Sequence, residues 1–159
     1  MRMIKYIICI LISIVSIDCF PQRMLAEAAS MKGVNSIFIG KSMLKVAGAS
    51  ISIGGDQSAI NMSKIFNDIT SIEIISCDDE SNLEKLEKKC RSILSVHPFE
   101  VLTETSGDGK NIQISGVFDK TGQNLVILLI AITGNNEASF ILLNGKIDIV
   151  TLNNALYAN

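Results

Sequence analysis

Histidines, cysteines and clustered carboxylates are the side chains that most often do chemistry, and this chain of 159 residues holds few of them. His97 is its single histidine, so sites that need two imidazoles are excluded. A lone histidine can act as base to a serine or cysteine nucleophile. No Gly-x-Ser-x-Gly elbow accompanies it, however, and its place before Pro98 suits a solvated loop residue. Gly40-Lys41-Ser42 matches the end of a phosphate-binding loop. The full motif needs a further glycine five residues before Gly40, where Asn35 stands, and the apolar stretch Ile37-Phe38-Ile39 replaces the loop. A strand-to-helix junction is the expected structure there.

Asp78-Asp79-Glu80 is a run of hard oxygen donors of the kind calcium takes. It also precedes a strongly helical stretch, where carboxylates cap exposed N–H groups and are favoured by the helix dipole. No spaced set of further oxygen ligands follows, so capping is the expected role. Cys77 and Cys90 are the two cysteines clear of the N-terminal segment. A disulfide needs Cα atoms within about 7 Å. Cys77 ends a predicted strand, whereas Cys90 falls about nine residues into the next helix, roughly 14 Å along its axis. Two separate buried thiols are expected. No catalytic, metal-binding or cofactor-binding residues emerge, and no cofactor is expected.

The elements that would position these residues follow from apolar periodicity. A short helix is predicted over 24–32, ended by Gly33 in the left-handed position after its last turn. A short strand over 36–39 and a helix over 41–47 come next. Residues 48–55 read as loop, and a helix starts after Asp56 with Ala59, Met62, Phe66 and Ile69 at helical spacing. Ser71–Cys77 is a strand. The clearest helix spans about 81–95, with Leu83, Leu86, Cys90, Ile93 and Leu94 as its buried stripe and Glu84–Lys88 and Glu87–Arg91 as i,i+4 pairs. Pro98 ends it.

From Phe99 onward the chain reads as strands. Phe99–Thr105 and Asn111–Phe118 flank the turn Ser106-Gly107-Asp108-Gly109. Leu125–Ile132 is apolar without alternation, which requires cover on both faces and places it in the middle of the sheet. Gly134-Asn135-Asn136 turns the chain again into Ala138–Leu143, and Asp148 caps a terminal helix ending near Tyr157. Short turns make strand neighbours antiparallel. The expected fold is α+β: a mainly antiparallel sheet of about five strands with helices packed on it.

Residues 1–20 read as an export signal. Arg2 and Lys5 precede the apolar run Tyr6–Ile17, which is shorter than the roughly 20 residues a membrane span needs. Residues 21–159 then form a single domain. Cys19 is the candidate lipid-attachment residue, although Asp18 stands where a small residue is wanted. Ala26-Glu27-Ala28 is a rival cleavage site. The whole chain is 48% apolar and 19% charged, and its net charge of −2 comes with no basic block. That composition argues for an ordered globular domain and against a nucleic-acid partner.

Four stretches in order carry a resemblance: Gly33-Val34-Asn35-Ser36-Ile37-Phe38-Ile39-Gly40-Lys41-Ser42-Met43-Leu44, Ile72-Glu73-Ile74-Ile75, Phe99-Glu100-Val101-Leu102 and Leu142-Leu143-Asn144-Gly145-Lys146-Ile147-Asp148. Over about residues 24–157 the chain resembles a family of exported Bacteroidetes proteins known only as a domain of unknown function, DUF4252. The resemblance implies a periplasmic or outer-membrane-associated protein, often a lipoprotein. Many members are encoded near extracytoplasmic-function sigma factors, which points to envelope-stress or signalling circuits. The family offers no catalytic residues, and Asp18 departs from its lipoprotein members.

Two functions compete at this point. One is a non-enzymatic envelope module that binds an unknown protein or small ligand, with a lipid anchor and a homodimer as further candidate associations. The other is a small extracytoplasmic enzyme of hydrolase type, its site assembled from scattered Asp, Ser and Thr residues. A deep pocket holding strongly shifted carboxylates would favour the enzyme, whereas exposed apolar or strand-edge surface would favour the binder.

Overall fold

The apolar run that sequence places in the middle of the sheet does lie there. A computed structural model describes residues 23–47 and 68–150 of the chain. Its elements are α1 (Ala26–Ala29), β1 (Asn35–Gly40), α2 (Lys41–Ala47), β2 (Ile69–Cys77), α3 (Glu80–Leu94), β3 (Glu100–Gly107), β4 (Lys110–Phe118), β5 (Asn124–Gly134) and β6 (Glu137–Asp148). The sheet has six strands in the order β1-β2-β6-β5-β4-β3, all antiparallel. The fold is α+β, with six strands where sequence leads one to expect about five. The short strand expected over 36–39 is β1, which runs over Asn35–Gly40 and pairs with β2 over its whole length.

Turn chemistry sets the meander β3-β4-β5-β6. Asp108 and Gly109 adopt φ of 52° and 75°, and Asn135 and Asn136 adopt 51° and 59°. Paired positive φ values match the right-handed twist of the flanking strands, so these two-residue turns fix both hairpin registers. The β4–β5 turn is held differently. Asp119 accepts hydrogen bonds from the Thr121 and Gln123 N–H groups and the Thr121 hydroxyl through Oδ1, and from Asn124 Nδ2 through Oδ2. Those donors, the Thr121 hydroxyl first, hold its carboxyl far below the usual range.

Alternation along each strand divides the sheet into two faces. One face carries Ile75 and Cys77 of β2, Phe140 and Leu142 of β6, and Ile127 and Leu129 of β5, which form one core with Leu86 and Cys90 of α3 and Met24, Leu25 and Ala28 of the α1 segment. Glu73 points into this core and is 2% exposed. Its Oε1 accepts from Met24 N–H at 2.8 Å and its Oε2 from Leu25 N–H at 3.1 Å, satisfying two donors at the start of α1. Burial is the larger influence on this carboxyl and raises its pKa against those bonds.

The opposite face carries two aliphatic rows. Register aligns Ile37, Ile74, Ile141, Ile130 and Ile114 in one row across five strands, and Ile39, Ile72, Leu143 and Leu128 in the next. Leu44 of α2 packs on it with Ile69, Ile72, Leu125, Leu128 and Ile147. Leu128 and Leu129 are neighbours in β5 that face opposite ways, and both are buried. The export segment with Cys19, the loop over 48–55, the helix expected after Asp56 as far as residue 67 and the terminal helix beyond Val150 lie outside the described residues, and Ile69, expected on that helix, instead opens β2.

Candidate functional site

The residues singled out from sequence resolve into structural roles. Gly40 ends β1 and Lys41 begins α2, so Gly40-Lys41-Ser42 is a strand-to-helix junction. Asp79 is the N-cap of α3. Its Oδ1 accepts from Ser81 N–H at 3.0 Å and from the Ser81 hydroxyl at 2.7 Å, and its Oδ2 from Asn82 Nδ2 at 2.7 Å. These bonds, the Ser81 hydroxyl foremost, lower its pKa. His97 lies in the turn after α3, edge-on to Phe99 with ring centroids 6.4 Å apart. Cys77 and Cys90 are two free, buried thiols. Burial, then the charge of Glu87, pushes Cys90 up to about 12, which keeps it a neutral thiol rather than a nucleophile.

A cleft that no motif marks lies beside α3. The helix packs on β2 and β6, and beyond its flank the same face is left open only at Asn111 and Gln113 of β4 and Ala131 and Thr133 of β5. The result is a cleft of about 430 Å³ lined by Glu87, Arg91 and Leu94 from α3, Asn111 and Gln113 from β4, Leu129, Ala131 and Thr133 from β5, and Phe140 from β6. Register explains its shape. Gln113, Ala131 and Phe140 stand directly opposite one another on three adjacent strands. The small Ala131 between two larger side chains leaves the hollow, and Leu94, Leu129 and Phe140 make its apolar boundary.

The polar wall is preset. Gln113 Nε2 donates to the Ser115 hydroxyl at 3.0 Å. Asn111 Nδ2 donates to Glu104 Oε1 at 3.2 Å, and the Ser106 hydroxyl donates to Asn111 Oδ1 at 2.9 Å. These bonds fix the rotamers of two amides that edge the hollow. Across from them, Arg91 Nη2 lies 3.2 Å from Glu87 Oε2 as an i,i+4 pair on the exposed side of α3. Such a pair contributes a few tenths of a kcal/mol, so a ligand anion or carbonyl can draw Arg91 away cheaply.

The site therefore offers amides, one hydroxyl, one guanidinium–carboxylate pair and apolar surface. Glu73, Asp79 and Asp119, the carboxyls whose pKa values are displaced by burial or capping, lie away from it. Sequence reasoning misses this site for a physical reason. Asn111, Gln113 and Thr133 look like the wet positions of ordinary strands, and only their register beside a helix that stops short makes them converge. The amphipathic reading of β4, polar at 111, 113 and 115 and apolar at 112 and 114, is the one signal available.

Comparison with known proteins returns no matching curated protein and no matching solved structure. A family match does exist, and it spans residues 29–155, from the end of α1 through β6 and beyond. All six strands, α2, α3 and the cleft fall inside that span, and the chain belongs to the family described as a domain of unknown function, DUF4252.

Proposed function

We propose that this protein is an exported, non-enzymatic binding module of the cell envelope, periplasmic or outer-membrane-associated, which seats its ligand in the cleft between α3 and the β4–β5 hairpin. The observation that carries the reading is the cleft's make-up: a hollow of about 430 Å³ with an apolar floor and two prefixed amides at its edge. Amides of fixed orientation suit a ligand that offers both donors and acceptors in a row, as a peptide backbone does, while Ala131 leaves room for an apolar side chain.

Selection of a random peptide display library against the purified protein tests this. Enriched peptides should share an apolar anchor residue and should lose at least tenfold in affinity to Ala131→Phe, which fills the hollow. Peptides that bind Ala131→Phe as tightly as the parent place binding elsewhere. Export rests on the charged and apolar leader. Ile12→Arg should block translocation, because charge opposes insertion of the apolar segment. The mass of the mature N-terminus decides whether Cys19 carries lipid.

A further inference from the structure

The two edges of the sheet differ in how they are guarded. An edge strand exposes unpaired N–H and C=O groups, and proteins blunt it with charges, proline or a bulge. Edge strand β3 has such devices: Glu100 and Glu104, and a register shift between Val101 and Thr103. Edge strand β1 has none. Its sequence Asn-Ser-Ile-Phe-Ile-Gly carries no charge and no proline, and it pairs with β2 in unbroken register over six residues. Among the described residues nothing pairs with its outer edge. Ile37 and Phe38, which point to opposite faces, are 57% and 37% exposed. The row of isoleucines that crosses the aliphatic face ends in the open at Ile37.

We propose that the outer edge of β1 is a self-association site, where a second copy adds its own β1 antiparallel about a two-fold axis through the sheet. Such an axis keeps each face of the sheet on its own side, so opposed residues must come from the same face. Setting Phe38 opposite the partner's Phe38 satisfies that condition and pairs Ser36–Gly40 with the same residues of the partner. Ile37 then faces the partner's Ile39, and Ser36 faces the partner's Gly40. The isoleucine row runs on into the second protomer, and β1 itself carries no charged residue. Opposed aliphatic and aromatic pairs of this kind are the stabilising unit of a sheet. On the other face, Arg23 lies over the Phe38 ring at 5.0 Å.

The interface is small. An edge of about 20 Å buries far less than the roughly 800 Å² per partner of a standard stable complex. The association is therefore weak and concentration-dependent.

Sedimentation equilibrium of the purified protein, from about 5 µM to about 500 µM, together with amide hydrogen exchange at the two extremes, tests the proposal. The expected result is a monomer–dimer equilibrium in which amides of residues 35–40 gain protection as concentration rises. Ile37→Lys should weaken dimerisation at least about tenfold by placing a charge in the paired row, with unchanged melting temperature, while Val101→Lys on β3 leaves dimerisation unaltered. A monomer across the whole range overturns the proposal. So does concentration-dependent protection confined to Ile130 and Ile141, which makes the aliphatic face the interface. Equal protection of residues 35–40 at both extremes also overturns it, since the edge is then covered within one chain.

Discussion

Leu86→Ala is the sharpest probe of the packing that builds the cleft wall. Leu86 is fully buried on the inner face of α3, in one core with Ala28, Phe140 and Leu142. Truncation removes three carbons, about 0.8 kcal/mol each and so about 2.4 kcal/mol of lost transfer energy. A further term depends on how far the hole collapses, and adds up to about 2.5 kcal/mol in buried Leu→Ala series. The sheet beneath is stiffened by hydrogen bonds on both sides of β6, so it cannot move up. The four-residue α1 can shift inward only slightly, being tied to Glu73 at its start. The expected loss is therefore about 3.5 kcal/mol, or a fall in melting temperature of roughly 10–15 °C for a domain of this size. Urea unfolding followed by circular dichroism reads it as a lowered midpoint with unchanged slope. A loss below about 1 kcal/mol would refute the placement of Leu86 in the core, and with it the position of α3 beside the cleft.

Other consequences are as direct. Leu128→Asp and Leu129→Asp each bury an unpaired charge, on opposite faces of β5, and each should cost more than about 4 kcal/mol; a neutral result at either one exposes that face. Gly145 has φ of +143° and an added Cβ would strike the Asp68 carbonyl and Ile69, so Gly145→Ala should lose about 2–4 kcal/mol in the same urea titration. Glu73 has its pKa raised above 4.5 by burial, so the folded state holds its proton more tightly than the unfolded chain does. Its contribution to stability is present below pH 4.5 and is lost as pH rises from there through the folded-state pKa. The stability of the parent minus that of Glu73→Gln should fall across that window; a difference that is flat or grows with pH contradicts the burial.

Much of the fold is legible in the sequence because local chemistry dictates it. Asp108-Gly109 and Asn135-Asn136 supply the positive φ that the hairpins need, Asp79 supplies the cap, and the unbroken run in β5 demands two covered faces. What the sequence hides depends on long-range register. β1 is legible as a short strand over 36–39, but its place beside β2 is not, and it lies there because Ile37 and Ile39 complete the rows of β2. Glu73 sits between two isoleucines and reads as the solvated side of a strand, yet it faces the helices to hold the Met24 and Leu25 amides. The cleft is the extreme case: Gln113, Ala131 and Phe140 are far apart in sequence, and their alignment across β4, β5 and β6 is set by two turns and a bulge.

The claim on which the functional reading rests is that the hollow over Ala131 receives the ligand. Nuclear magnetic resonance of isotopically labelled protein, titrated with a peptide enriched from the random library, tests it most directly. The predicted result is saturable shifts of the Asn111 and Gln113 side-chain amides and of the Ala131 and Thr133 backbone amides, absent in Ala131→Phe. Shifts confined to the Phe118–Gly122 turn or to β1, with the signals of Asn111, Gln113, Ala131 and Thr133 unmoved at saturation, would contradict it.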